Sequence, residues 1–186
     1  MLRNGDGKPA VFLDRDGVIN KTLIRDGKPF APTTINDLQL LEGVAEAVNI
    51  LQDLDLELII VTNQPDVARG VITQQQLAGF HEKISRETGL RHFYACIHED
   101  EDRCDCRKPK TGLLRAAATD LDVNFEISYM VGDRWKDIQA GQELGCSCFF
   151  IDYQYSERRP LPPFSTVTSL LEAAIRIKEI THEKQH

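Results

Sequence analysis

Residues 10–17 read AVFLDRDG, an apolar run that ends abruptly in two acids and a glycine. A strand that is apolar throughout is typical of a sheet that is covered on both faces. Similar apolar runs recur along the chain and alternate with amphipathic helical patterns. The sequence therefore predicts an α/β fold, a doubly wound parallel sheet with helices on both faces. Predicted strands span 10–14, 56–62, 92–97, 128–133 and 147–152, and predicted helices span 43–54, 74–88, 111–121, 136–144 and a last segment, 166–180.

The size and composition of the chain limit the kinds of protein it can be. A length of 186 residues suits one sizeable core, so we expect a single domain over 1–186. No apolar run approaches the roughly 18 residues of a membrane span, and no export signal precedes the first strand. We therefore expect a cytoplasmic monomer without a membrane partner. A net charge of −7 disfavours nucleic-acid binding.

The first predicted strand ends in a pair of acids. In a parallel sheet of this kind, ligands bind beyond the carboxyl ends of the strands. Asp14 and Asp16 stand there, and Gly17 allows the chain to turn sharply. One carboxylate can then face a substrate as a nucleophile while its neighbour acts as an acid or base. Taken alone, the DRDG segment can also be an ordinary aspartate-rich turn.

The next two strand ends offer groups that bind anions. The hydroxyl, amide and backbone N–H groups of Thr62 and Asn63 can bind phosphate oxygens, although such a pair can also be a helix cap or turn. Lys108 can place a point charge on a phosphoryl group, and Arg107 can bind a second anionic group through its guanidinium fork. The alternative for Arg107 and Lys108 is a solvated basic pair.

The fourth strand end reads VGDRWKD, residues 131–137. Hard divalent cations such as Mg²⁺ take carboxylate oxygens, so Asp133 opposite Asp14 suits such an ion. We interpret Asp137 as an acid at the start of a helix or as an ion-pair partner of Lys108.

Taken in order, FLDRDG, VTNQ, RKP and VGDRWKDI resemble the four motifs of the haloacid dehalogenase superfamily of phosphotransferases, from the first predicted strand to the last. That resemblance implies an aspartyl-phosphate mechanism. Asp14 would attack phosphorus, and Asp16 would protonate the leaving alcohol and then activate water. Thr62 and Lys108 would hold the transferring phosphoryl group. Mg²⁺ would be bound by Asp14, the backbone carbonyl of Asp16, and Asp133.

The spacing between the motifs leaves no room for a large cap domain. Residues 20–36 suffice only for a flap, so we expect an open mouth that admits a soluble sugar or amino-alcohol phosphate.

Three of the five cysteines lie close together, with a histidine among them. Cys96, His98, Cys104 and Cys106 supply the four ligands of a closed tetrahedral Zn²⁺ site, which predicts a zinc-binding loop over about 96–106. A redox switch is the alternative. Within the superfamily, the chain is similar to the group of heptose bisphosphate phosphatases and histidinol-phosphatases. That group carries a zinc loop of this type directly before RKP, and the resemblance implies that the zinc is structural.

The segment NQPDVARG, residues 63–70, resembles the heptose bisphosphate enzymes more than the histidinol enzymes. We therefore expect removal of the 7-phosphate of D-glycero-D-manno-heptose 1,7-bisphosphate, with Arg107 contacting the phosphate that stays. Histidinol phosphate is the alternative substrate. A catalytically silent zinc-stabilised binding module is the alternative class. The candidate substrate-binding residues are Asn20, Asn63, Gln64, Arg69, Arg107 and Arg134.

Overall fold

A six-stranded sheet organises the computed structural model, which describes residues 7–183. Its strands are β1 (Ala10–Leu13), β4 (Glu57–Asn63), β5 (His92–Cys96), β6 (Tyr129–Gly132), β7 (Ser147–Ile151) and β8 (Ser165–Val167). The helices are α1 (Val44–Gln52), α2 (Gln74–Thr88), α3 (Gly112–Leu121), α4 (Trp135–Glu143) and α5 (Leu170–Glu183). The strand order is β5-β4-β1-β6-β7-β8, and every pairing in the sheet is parallel. The predicted doubly wound α/β fold is confirmed.

The first strand lies in the middle of the sheet and is fully buried. Leu13 is level with Ile60 of β4 on one side and with Val131 of β6 on the other. From β1 the chain builds β4 and β5 on one side and then crosses to β6 on the other. Ligands bind at such a switch point in open α/β sheets, so the residues after β1, β4 and β6 meet at the expected place.

Apolar side chains form one core cluster on each face of the sheet. On one face, α1, α2 and α5 contribute buried residues such as Leu51, Phe80 and Ile177. On the other face, α3 and α4 contribute Leu114 and Ile138. Because helices cover both faces, the strands can be apolar throughout.

Local signals determine the ends of α2, whose bounds match the predicted 74–88. The Thr73 hydroxyl accepts a hydrogen bond from the Gln76 N–H, and the Gln76 side chain accepts one from the Thr73 N–H. This reciprocal capping box starts the helix, and Gly89 ends it with a φ of 79°. Within residues 7–183, none of the helices combines the length and the apolar character that crossing a membrane requires.

Two segments add detail to the predicted fold or differ from it. The flap of residues 20–36 contains an antiparallel hairpin of β2 (Leu23–Arg25) and β3 (Lys28–Phe30), and no large cap domain lies between β1 and α1. Secondly, the last helix was predicted to begin at 166, but it begins at Leu170 because residues 165–167 extend the sheet as β8. A strand of three residues is too short to show an alternating pattern.

Candidate active site and metal clusters

The loop after β1 turns sharply against the end of β6. The Asp14 N–H donates to the Val131 carbonyl at 3.0 Å, which anchors the start of this loop. Gly17 has a φ of 86°, and a Cβ placed there would lie 2.0 Å from Oδ2 of Asp133. Only glycine fits both the backbone conformation and this close approach. The turn therefore brings Asp14 and Asp133 to one point, as the sequence predicted.

Asp14, Asp133 and Asp137 form a buried group that we call the carboxylate cluster. Ligand oxygens of the three side chains all lie within 4.8 Å of one another. Lys108 Nζ lies 2.8 Å from Oδ1 of Asp14 and 2.7 Å from Oδ1 of Asp137. The same ammonium donates to the Val61 carbonyl at 2.6 Å. The cluster thus holds three carboxylates and one cation, which pairs with two of them.

This imbalance is reflected in the proton affinities. Burial raises the pKa of Asp14 to about 7, and the charges of Asp137 and Asp16 add to the rise while Lys108 opposes it. Burial also raises the pKa of Asp133 well above its ordinary value, and the charge of Asp14 adds to this effect. Burial disfavours the charged form of Lys108, but the acids Asp137 and Asp14 outweigh it and raise its pKa. The cluster therefore lacks positive charge.

The cluster fits a hard divalent cation. Asp133 Oδ1 is buried and has no hydrogen-bond partner among residues 7–183, so it is left for another ligand beside Asp14. Carboxylate oxygens are the protein ligands that Mg²⁺ prefers. In Asp137, by contrast, Oδ1 pairs with Lys108 and Oδ2 accepts from the Arg134 N–H. Asp137 is thus both the helix-start acid and the ion-pair partner that the sequence suggested.

The carboxylate of Asp16 lies outside this cluster. It accepts hydrogen bonds from the fully buried Arg15, from Asn20 and from Gln64, at 2.7–2.9 Å. Gln64 also donates to the Thr62 hydroxyl at 2.8 Å. Asn20 and Gln64 were predicted to contact substrate, but both are buried and neither lines the cavity described below. They hold Asp16 and Thr62 instead, and they satisfy a carboxylate that is only partly open to water.

Asn63 connects the end of β4 to the segment that carries Lys108. Its Nδ2 donates to the Lys108 carbonyl at 3.0 Å, and its Oδ1 accepts from the Lys108 N–H at 3.1 Å. This paired contact aligns the RKP segment beside Thr62. The four predicted strand ends therefore converge, and the side chains of Asp14, Asp16, Thr62 and Lys108 all border one cavity.

That cavity has a volume of about 490 Å³ and opens beside the flap hairpin. Besides the acids and Lys108, five cationic side chains line it. These are Lys28, Arg69, Arg107, Arg134 and Lys136. The cavity is thus deep and acidic at its base and carries cations around its mouth.

All three arginines that were predicted to bind substrate line the cavity, but each also makes an ion pair. The pairs are Arg69 with Glu99, Arg107 with Asp100, and Arg134 with Glu157. Among the described residues, Lys28 and Lys136 make no ion pair with any acid. Burial lowers the pKa of Lys136, and the positive charges of Arg107 and Arg134 contribute. An anionic substrate group would relieve this repulsion between cations.

Cys96, His98, Cys104 and Cys106 come together as a second group, which we call the thiol cluster. The sulfur of Cys96 lies 3.7 Å from that of Cys104 and 3.1 Å from that of Cys106. His98 Nδ1 lies 3.6 Å from the Cys96 sulfur and 3.3 Å from the Cys106 sulfur. Zn–S and Zn–N bonds in a tetrahedron give ligand separations of about 3.6–3.8 Å. The thiol cluster therefore has nearly the dimensions of a closed zinc site.

One contributor to the site was missed at the level of sequence. The sequence of residues 153–164 is proline-rich and indicates a surface connection after β7, but its first part, residues 153–159, crosses the end of the sheet as a segment that we call the tyrosine strap. Tyr155 Oη donates to Oδ2 of Asp133 at 2.8 Å, and Glu157 pairs with Arg134. The position of the two tyrosines just after a buried strand was the available signal, since the residues that follow the strands of a parallel sheet lie near its ligand site.

Comparisons with known proteins agree with this geometry. A family model described as a haloacid dehalogenase-like hydrolase matches residues 21–145. The chain is 40% identical to a D-glycero-beta-D-manno-heptose-1,7-bisphosphate 7-phosphatase of Haemophilus ducreyi, over 75% of this chain and 80% of that protein. It is 35% identical to the phosphatase of the same name from Escherichia coli K12, over 71% of this chain and 72% of that protein.

A solved structure is similar over nearly the whole chain. It is D,D-heptose 1,7-bisphosphate phosphatase from B. bronchiseptica complexed with magnesium and phosphate. The TM-score is 0.81 with 26% sequence identity, covering 92% of this chain and 99% of that one. Fold and site together define a phosphoric monoester hydrolase. The chain belongs to the haloacid dehalogenase-like hydrolase family, as its motifs predicted, and is a phosphatase of that family.

Proposed function

We propose that this phosphatase depends on Mg²⁺ and removes the 7-phosphate of D-glycero-D-manno-heptose 1,7-bisphosphate through an aspartyl-phosphate intermediate. The observation that carries the proposal is the position of Asp14, which lies with Lys108 at the base of a cavity that has cations around its mouth. The names of the relatives support the same substrate.

The proposed chemistry assigns each group at the base of the cavity a role. A carboxylate oxygen of Asp14 attacks phosphorus, the bond from phosphorus to the sugar oxygen breaks, and Asp16 gives a proton to that oxygen. In the second step Asp16 takes a proton from water, whose oxygen attacks phosphorus and releases Asp14. Thr62 and Lys108 hold the phosphoryl oxygens during both steps, since this reaction depends on positioning and charge neutralisation.

The residues proposed to hold Mg²⁺ are Asp14, Asp133 and the backbone carbonyl of Asp16. When bound, the cation supplies positive charge to the phosphoryl oxygens. Asp137 is proposed to position Lys108 and the start of α4, because both of its oxygens already have partners.

A substrate with a second anionic group fits the mouth of the cavity better than a cationic one. Besides Lys108, five cations line the cavity, whereas its only acids outside the catalytic and carboxylate-cluster groups, within residues 7–183, are Asp66 and Asp100. The proposed contact for the remaining phosphate is Arg107, exchanging its bond to Asp100, with Lys136 and Lys28 nearby. Asp66 and Asp100 are the observation that favours the second candidate, histidinol phosphate, whose amino group is cationic. Asp100 is already paired with Arg107, so this support is weaker.

The thiol cluster is proposed to bind one structural Zn²⁺. Burial raises the pKa of Cys106 to about 12, and the neighbouring thiols contribute, so this thiol stays protonated until a cation displaces its proton. All five cysteines are free, which suits a reducing compartment and supports a cytoplasmic location. We also propose a monomer with a single domain over 1–186, of which 1–6 and 184–186 lie outside the described residues. Light scattering during size-exclusion chromatography tests the monomer.

A substrate panel tests the proposed activity. Phosphate release is measured with Mg²⁺ for the heptose 1,7-bisphosphate, for the heptose 7-phosphate and for histidinol phosphate. We expect kcat/KM for the bisphosphate to exceed both others by about tenfold or more, the value of one good charge contact. A higher kcat/KM for histidinol phosphate would overturn the heptose assignment. Equal values for the two heptose phosphates would overturn the role of the cavity mouth.

A matched pair of lysine variants refines that test. Lys136→Gln removes a cavity-lining cation, whereas Lys178→Gln removes an exposed cation on α5. We expect the first variant to raise KM for the bisphosphate several-fold without raising it for the 7-phosphate. The second variant should match the wild type with both substrates.

A further inference from the structure

The tyrosine strap places a hydroxyl on the carboxylate that faces the cation site. Tyr155 Oη donates to Oδ2 of Asp133 at 2.8 Å. The Asp133 side chain is buried, and its other oxygen, Oδ1, has no partner among the described residues. The two oxygens of one carboxylate are therefore distinct, since one is held by a phenol and the other is left for a ligand.

Contacts on both sides of Tyr155 fix its position. Tyr153 Oη donates to the Gly17 carbonyl at 3.0 Å, and its ring lies against that of Tyr155 with centroids 5.5 Å apart. The Ser156 N–H donates to the Gly27 carbonyl of the flap turn at 2.9 Å. The strap is thus tied to the DRDG loop and to the flap, and the phenol reaches Asp133 from a frame that is already ordered.

A free carboxylate can rotate about its Cβ–Cγ bond, which averages the direction of its oxygens. A donor fixed on Oδ2 restricts this rotation, so Oδ1 of Asp133 keeps one direction within the carboxylate cluster. Hydrogen bonds to ligating carboxylates commonly contribute 10–100-fold to metal affinity or activity, because the ligand is oriented before the ion arrives. The geometry here meets that condition.

We propose that Tyr155 is a positioning residue for the divalent-cation site, whose hydroxyl orients Asp133 for metal binding. The proposal rests on the proposed function, because it takes the carboxylate cluster to be that site. Tyr155 does not contact the reacting atoms and acts only through Asp133. Its removal should therefore weaken cation binding and leave the chemistry at saturating cation nearly unchanged.

The test compares two hydroxyl deletions in zinc-loaded protein. Tyr155→Phe removes the proposed orienting bond and keeps the ring. Tyr94→Phe is the matched control, because Tyr94 Oη also donates to an aspartate, Asp120, at 2.9 Å but on the surface. Binding of Mn²⁺, which uses the same oxygen ligands as Mg²⁺, is followed without substrate by the electron paramagnetic resonance of the free ion.

We expect Tyr155→Phe to raise the Mn²⁺ Kd about tenfold. The Mg²⁺ concentration for half-maximal phosphate release should rise by a similar factor, with kcat at saturating Mg²⁺ within about twofold of wild type. Tyr94→Phe should change none of these quantities. A Tyr155→Phe variant with wild-type Mn²⁺ Kd, or with only a lowered Tm and kcat, would overturn the inference.

A third variant separates this outcome from failure of the proposed function. Asp133→Asn should abolish Mn²⁺ binding at the carboxylate cluster. If it binds Mn²⁺ as the wild type does, the proposed cation site itself is wrong. If it loses binding while Tyr155→Phe keeps it, the site stands and only the role of Tyr155 is rejected.

Discussion

The thiol cluster and the carboxylate cluster are both groups of metal-ligating side chains, but the chain builds them in opposite ways. The thiol cluster takes four ligands from residues 96–106, and three of the four are only partly buried. The carboxylate cluster is wholly buried and joins Asp14 to Asp133, which is distant in sequence but follows the neighbouring strand β6. Four protein ligands can close a tetrahedral site, whereas the second cluster keeps an oxygen of Asp133 for an ion and borders an open cavity.

The two clusters meet through the segment that follows Cys106. Lys108 reaches the carboxylate cluster only two residues after the last thiol. The Gly112 N–H donates to the Asp105 carbonyl at 3.0 Å, and Lys110 Nζ donates to the Cys104 carbonyl at 2.6 Å. A metal at the thiol cluster would therefore restrict where Lys108 can go. The proposed roles of the two clusters therefore differ. The thiol cluster positions Lys108, and the carboxylate cluster takes part in the reaction.

The largest expected effect comes from a change in the carboxylate cluster alone. Asp14→Asn removes the proposed nucleophile but keeps an oxygen that can accept from Lys108. We expect phosphate release to fall by about 10³-fold or more, with zinc content unchanged and thermal stability equal or higher, since a buried charge is removed. Enzyme assays, metal analysis and thermal unfolding check the three parts.

The control for that variant is Asp53→Asn, at an exposed position after α1. It should keep full activity. Retention of activity within about tenfold in Asp14→Asn would contradict the nucleophile assignment, given the size of covalent catalysis by such groups.

The second expected effect comes from a change in the thiol cluster. Cys104→Ser removes one of four zinc ligands, so we expect substoichiometric zinc and a loss of about 3 kcal/mol in the free energy of unfolding, or about 10 °C in Tm. Activity should fall through displacement of Lys108. Cys148→Ser is the matched control, because Cys148 is buried away from the thiol cluster and should keep one zinc per chain. Full zinc and unchanged Tm in Cys104→Ser would show that the thiols do not form a metal site.

A third effect is the pH dependence of the carboxylate cluster. The pKa of Asp14 is raised by burial to about 7, above its unfolded value near 4. Between these two pH values the folded protein therefore keeps a proton that the unfolded chain has released. This proton binding contributes to the free energy of unfolding at low pH, and the contribution is lost as the pH rises toward 7. Mg²⁺ relieves that loss only when Asp14 is ionised. We expect Mg²⁺ to raise Tm more at pH 8 than at pH 5.5, and equal shifts at both would contradict the assignment.

The smallest effect lies outside both clusters, at His81 of α2. Burial and the charge of Arg15 lower its pKa to about 4. Below pH 6.5, His81 binds a proton in the unfolded chain but stays neutral in the folded protein, so the free energy of unfolding decreases as the pH falls toward 4. Between pH 6.5 and pH 5, the free energy of unfolding of His81→Leu should fall by about 2 kcal/mol less than that of the wild type, as measured by denaturant unfolding. An identical pH slope in the two proteins would refute this contribution.

The sheet and most ligands of both clusters could be predicted from the sequence. The alternation of apolar runs and amphipathic helices predicted the sheet, and the residues after β1, β5 and β6 predicted the convergence of Asp14, Lys108 and Asp133. The thiol cluster was predictable because its ligands lie within one loop. Both signals are local or follow from the topology of a parallel sheet.

The remaining features depend on packing that no local pattern records. The buried positions of Asn20 and Gln64 follow from the place of Asp16 beside Arg15. The ion pairs of Arg69 with Glu99 and of Arg134 with Glu157 join residues that are distant in sequence. The tyrosine strap belongs to a segment, 153–164, whose prolines indicate a surface connection, and its contact with Asp133 exists only because β7 lies beside β6.

The most direct test of the division between the clusters measures metal content and activity on one sample. Protein purified without added metals is gel-filtered, analysed for zinc and magnesium, and assayed for phosphate release before and after Mg²⁺ is added. We predict about one zinc per chain, almost no magnesium, and activity that appears only with Mg²⁺ while zinc stays bound. Activity without Mg²⁺, or activity restored by Zn²⁺ in its place, would contradict the account.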